Sequence, residues 1–136
     1  MKIRVHGETC YVPRGAFFDG NVRIEGNLAA PFGTHFWKNL TVSGDLELGP
    51  CSTVAGHVAC RNALIGGRAI VKGNLTAEGT VLVCDRAVIR SIRAGGDVVL
   101  RPGVITGDVV TTGMITVIGK VLSDRLEGSK VVVLPG

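Results

Sequence analysis

The chain has no apolar run approaching the ~20 residues that a membrane-spanning helix needs. Only five of its 136 residues are proline. Its four cysteines, at 10, 51, 60 and 84, form no CxxC pair, so the usual zinc and thioredoxin-like spacings are missing. Good helix formers are sparse beside Val, Ile, Leu and Thr, which favours strands. No Walker-type loop, GxSxG elbow or kinase signature occurs, and the glycine repetition contains no GxG step, so a dinucleotide site is unsupported. No secretory leader is legible in Met1–Val5, which leads straight into patterned sequence. Reduced thiols in a cytoplasmic protein are the expectation. In that setting the Asn-Leu-Thr triplets at Asn39 and Asn74 carry little meaning as glycosylation sites.

Glycine, by contrast, is abundant: 20 residues of 136, about twice the usual ~7%. Hydrophobic residues reach 46%, too many for a disordered linker. The length suits one domain that buries its own core. A net charge of +4 can favour an anionic partner, but the charges are spread along the chain rather than gathered in a run. A solvated basic surface is the plainer reading, and no nucleic-acid partner is expected.

The glycines keep time. Cut every six residues from Gly15, the sequence reads GAFFDG, NVRIEG, NLAAPF, GTHFWK, NLTVSG, DLELGP, CSTVAG, HVACRN, eight units without a slip. Second positions (such as Val22, Leu28, Leu40) and fourth positions (such as Ile24, Phe36, Leu48) never carry a charge. Two inward residues around one outward residue make a short strand. A Gly followed by Asn or Asp then offers a positive-φ corner. Three such sides make an 18-residue coil, and residues 18 apart match: Phe18 with Phe36, Leu28 with Leu46 and Leu64, Thr34 with Ser52. Like stacking on like predicts an all-β chain, a triangular parallel β-helix filling 1–136 as a single domain. Its regular coils run from about 15 to 121, with terminal strands on either side. After Asn62 the five-residue sides ALIGG, IRAGG and GVITG shorten some coils to 17. About six coils, stacked at the ~4.8 Å strand spacing, make a rod on the order of 30 Å long.

A hexad period also occurs in left-handed acyltransferases and in trimeric carbonic-anhydrase-like enzymes, and that is the alternative. Against it, both inward positions here are often bulky, as in Val22 with Ile24, and LIGG at Leu64–Gly67 is a lone near match to the transferase unit. His35 and His57 are 22 residues apart and do not stack, and His6 precedes the regular coils. A metal site needs several converging ligands. Cys60 and Cys10 read as small inward residues and Cys51 and Cys84 as outward ones. No enzyme, cofactor or metal site is therefore expected.

Surfaces are more informative. Ile65, Leu82 and Val99 follow one another at intervals of 17 and are expected to stack outside as a lateral contact. Phe17, Ile70, Val88 and Ile105 hold comparable outward places on another side, with Trp37 nearby. Such stripes suggest contact with another surface. Neither end reads as a cap: Ile3 and Val5 alternate like a strand, and VVVL at 131–134 is another. Open strand edges invite a second chain. Ile3, Val5, Val132 and Leu134 are the expected polymer junction.

The Gly-Asn/Asp-aliphatic steps from about Gly20 to Val121, clearest in ALIGGRAIVKGNLTAEGTVLV and GVITGDVV, resemble the bactofilin family of polymer-forming cytoskeletal proteins. The resemblance implies a right-handed helix and nucleotide-independent homopolymeric filaments that scaffold cell-envelope or shape machinery. It also implies partners at the inner membrane surface or among envelope proteins. Unlike that pattern, this chain has no aromatic residue after Trp37.

Overall fold

Alternation of one outward residue between two inward ones sets the architecture. The computed structural model describes residues 3–136, and among them twenty short strands and no helix form one parallel β-helix. Each coil gives one strand to each of three faces. The first face begins with Phe17–Phe18, His35–Phe36 and Thr53–Val54 and ends with Ile105–Thr106. The second begins with Val22–Ile24, Leu40–Val42 and Val58–Cys60 and ends with Asp108–Thr111 and Arg125–Glu127. Between these, two long strands, Ile70–Ala77 and Val88–Ala94, serve both faces.

The third face carries eight parallel rungs, from Thr9–Tyr11 through Asn27–Ala30, Asp45–Leu48, Asn62–Ile65, Val81–Val83, Val98–Leu100 and Met114–Ile118 to Lys130–Leu134. Eight rungs are seven coil steps, one more than the hexads alone suggest, because the terminal strands also join the stack.

The core is a set of continuous columns. All sixteen inward positions of the eight hexads are buried or half-buried. On the third face Leu28 pairs in register with Leu46, Leu46 with Ala63, and Val81 with Val98 and Ala63. Fully burying such a side chain is worth about 1.5–3 kcal/mol. Beside the corner entering the first face, Ala16, Thr34, Ser52, Ala69, Ala87 and Val104 are all buried. The two hydroxyls there are satisfied by one carbonyl: Thr34 Oγ1 donates to Pro31 O at 2.8 Å and Ser52 Oγ at 3.2 Å. Thr106 Oγ1 is the one buried side-chain oxygen without a partner among the described residues.

The corners are of two kinds, and only one uses positive φ. At the corner entering the first face, Gly15, Gly33 and Gly103 have φ of 72°, 72° and 82°. Pro102 followed by Gly103, with the Val104 N–H donating to Arg101 O, fits a type II turn, whose third residue needs that conformation. Three coils place Cys51, Arg68 and Arg86 there instead, at 59°, 60° and 64°. At the other two corners most glycines have ordinary φ, which corrects the expectation of a left-handed Gly-Asn step. They are glycine because there is no room. A Cβ on Gly44 would lie 2.7 Å from Gly26 O, and one on Gly113 2.7 Å from Asp97 Oδ1.

That crowding comes from the backbone carbonyls of the neighbouring coil and from a ladder of corner side chains. Asn39 Oδ1 accepts the His57 N–H at 2.8 Å, and His57 Nδ1 accepts the Asn74 N–H at 2.9 Å. On the next corner Asn27, Asn62 and Asp97 accept from the N–H groups of Asp45, Thr80 and Met114 at 2.8, 2.8 and 2.9 Å. Each rung thus supplies acceptors for backbone donors that the turn would otherwise leave unpaired.

The shortening of the coils begins one corner earlier than the ALIGG segment. Asn62 pairs with Asp45 and Ala63 with Leu46, a 17-residue step. The inward residues of this strand are therefore Ala63 and Ile65, and Leu64 points out.

Candidate assembly surfaces

The surfaces follow from where the columns stop. At the C-terminal end, Val131 and Val133 pair with Ile115 and Val117, so they belong to inward columns. Ile115 and Val117 are 0% and 6% exposed, but Val131 and Val133 are 42% and 68% exposed because no rung covers them. Half-buried Val121 and Leu126 pack against the same core. Val132 and Leu134, the expected junction residues, lie at this end but pair with Thr116 and Ile118 in the outward-facing register. The residues that face along the axis are their neighbours.

At the N-terminal end the chain turns back. Arg4–His6 pairs antiparallel with Thr9–Tyr11, with Gly7 at φ 61° in the two-residue turn. Glycine at the first central position is what a type II′ hairpin requires. Val5 pairs with Cys10, an inward position, and is 73% exposed; Ile3 is also exposed. The expected open parallel edge is therefore replaced on the third face by an antiparallel strand. On the other two faces the first strands, Phe17–Phe18 and Val22–Ile24, have no strand below them among the described residues. The Gly7-Glu8 pair was the available signal for this hairpin.

The lateral stripe on the third face consists of Leu64, Leu82 and Val99, which pair rung to rung. Ile65, expected in that stripe, is 0% exposed and stacks between Leu48 and Val83. The one-residue step at Asn62 moves it inside. Leu64, Leu82 and Val99 line a shallow groove of about 520 Å³, with Asp45, Glu47 and Asp97 along it. No family model, curated protein or solved structure matches the chain.

The remaining candidate chemistry is dispersed. His35 and His57 are exposed in different columns, and His57 is held by its corner hydrogen bond. No group of three or more His, Cys, Asp or Glu among the described residues is placed to share a metal ion. Cys60 is buried, and burial, followed by the charges of Asp45 and Glu78, pushes its thiol up to about 12. Its neutral form is the one the core holds. Cys10 is half-buried at an inward position, Cys51 is exposed and Cys84 half-buried, all as free thiols.

Proposed function

We propose that this β-helix is a scaffold subunit that assembles end to end into filaments without nucleotide, using its C-terminal rung as a principal junction. One observation carries the reading: the last rung presents Val131 and Val133 uncovered above a closed core. Beside them the outer edge of Lys130–Leu134 has no strand partner among the described residues. A second chain laid on that edge extends the hydrogen-bond ladder and covers the two valines. The role agrees with what a resemblance to bactofilins implies, and the inward residues of the last rung take the place of Val132 and Leu134 in it.

Negative-stain electron microscopy and sedimentation of the purified chain, without nucleotide, test the proposal. Filaments are expected from the parent. Val131→Gln with Val133→Gln, which places two amides where no partner is provided, should leave soluble subunits or small oligomers with an unchanged β spectrum. A parent that sediments as a monomer or as a discrete trimer at tens of micromolar would sink the filament reading.

A further inference from the structure

The three faces differ in what they show to solvent. Of thirteen exposed large apolar side chains among the described residues, six lie on the first face or its entering corner: Phe17, Phe32, Trp37, Ile70, Ile105 and Leu122. Six others sit at the two ends, and Leu82 alone lies on the body of the third face. On the second face there are none. Trp37 and Leu122 are 61% and 58% exposed, and the Phe17 and Trp37 rings lean on each other at 5.8 Å between centroids.

This apolar stripe is straight and framed by cations at its two middle rungs. Ile70, Val88 and Ile105 pair in register from rung to rung, and Leu122 continues the column by a bridge from Ile105. Arg68 and Arg86 precede Ile70 and Val88 by two residues, and Lys72 and Arg90 follow them by two; all four are exposed. Beside the two middle rungs Asp85 is held by Arg101 at 2.8 Å, while Asp19 and Asp124, two residues after Phe17 and Leu122, lie exposed at the ends of the stripe. Two of the arginines also occupy left-handed corners where glycine serves elsewhere. The fold thus keeps a cation at a position that disfavours any side chain.

We propose that the first face docks flat on an anionic lipid bilayer, with the aromatic and aliphatic stripe at the headgroup boundary and the flanking cations against the lipid phosphates. Tryptophan and phenylalanine beside arginine and lysine suit the interface of a membrane, where one part of a side chain is wet and the other is not. A bilayer meets the cations of the two middle rungs, and the apolar side chains on either side of them, without any register. A second copy fits less well. Its acidic third face carries one well-exposed apolar side chain, Leu82, and Arg101 on the same strand edge as its stripe.

The inference does not rest on end-to-end assembly. Trp37 is the chain's one tryptophan, so its fluorescence reports this face directly. The full chain is titrated with phosphatidylcholine vesicles, with and without phosphatidylglycerol, and co-sedimentation is measured alongside. A blue shift and pelleting are expected with the anionic vesicles, weakening with salt, and neither with the neutral ones. Each cation at such a surface is worth about fivefold in partitioning. Arg68→Gly with Arg86→Gly, which suits the corner backbone, should therefore weaken binding more than ~10-fold. Arg93→Ala, on the second face, should leave it unchanged, as should Val131→Gln with Val133→Gln, which removes only the end contact. Equal binding to neutral vesicles, no response to anionic ones, or full binding by the double-glycine variant overturns the proposal. So does a Trp37 shift that depends on protein concentration alone, since that would place a second copy on this face.

Discussion

Replacing Cys51, Arg68 and Arg86 by glycine should make the protein more stable, although it removes side chains and adds none. All three sit at φ near 60°, where an L-residue pays about 1–2 kcal/mol for the approach of Cβ to the next carbonyl. Glycine avoids that cost but carries more entropy in the unfolded chain, returning roughly 0.5–1 kcal/mol. The strain term is the larger, so each site should gain about 0.5–1 kcal/mol and the three together about 1.5–3 kcal/mol. For a chain of this length the unfolding entropy is about 0.3 kcal/mol per degree, which converts the triple gain to a rise in Tm of about 5–10 °C. Thermal denaturation followed by circular dichroism measures it. Two controls isolate the backbone. Alanine at the same three positions keeps Cβ and should give little, even though it relieves repulsion between the arginines. Gly33→Ala, where a Cβ would meet no atom within 4 Å, should cost about 1 kcal/mol by strain alone. If the alanine variants gain as much as the glycine ones, the left-handed corners are not strained and the reasoning fails.

Val109 is 0% exposed and pairs with Ile92 and Leu126 in an inward column, so Val109→Asp should cost several kcal/mol. Val110→Asp, one residue on and half-exposed, should keep the fold; thermal melts ranking them the other way would contradict the register. His57→Ala should cost about 0.5–1.5 kcal/mol by leaving the Asn74 N–H without its acceptor. His57→Asn, which copies the corner residue of the preceding coil, should restore most of that loss in urea titrations. Thr106→Val removes a buried hydroxyl with no partner and should stabilise by about 1 kcal/mol; a loss of that size would mean the hydroxyl is satisfied after all.

The coils from Gly15 to Asn62 were legible because most strands there mix apolar and polar residues, so only one register buries the apolar set. Beyond Asn62 that contrast fades. Ala63, Leu64 and Ile65 are all apolar, and both registers satisfy a hydrophobic count. The corner decides between them: Asn62 receives the Thr80 N–H as Asn27 receives that of Asp45, which fixes Ala63 rather than Leu64 inside. The Asn was visible in the sequence, but its acceptor role depends on the rung above. The same ambiguity affects Val131 to Leu134, a run with no polar residue to mark a face. At the other end, the hairpin at Gly7 broke the parallel pattern locally and left no trace in the period. The outward column of Phe17, Ile70, Val88 and Ile105 was recoverable from spacing alone, because their rungs are bounded by glycine or charged residues.

The hydrogen-bond ladder of this rod runs along its long axis, with every strand after Arg4–His6 paired to one 16 to 18 residues away. Axial tension therefore loads the rungs in series, and the outermost coil yields without help from the others. Each coil released by a pulling tip adds about 60 Å of extended chain, so a force trace should show repeated small steps rather than one rupture. Load applied across the faces meets whole strands in shear, many hydrogen bonds at once. As a mechanical element the rod is strong against sideways push and weak against lengthwise pull, a strut rather than a cable.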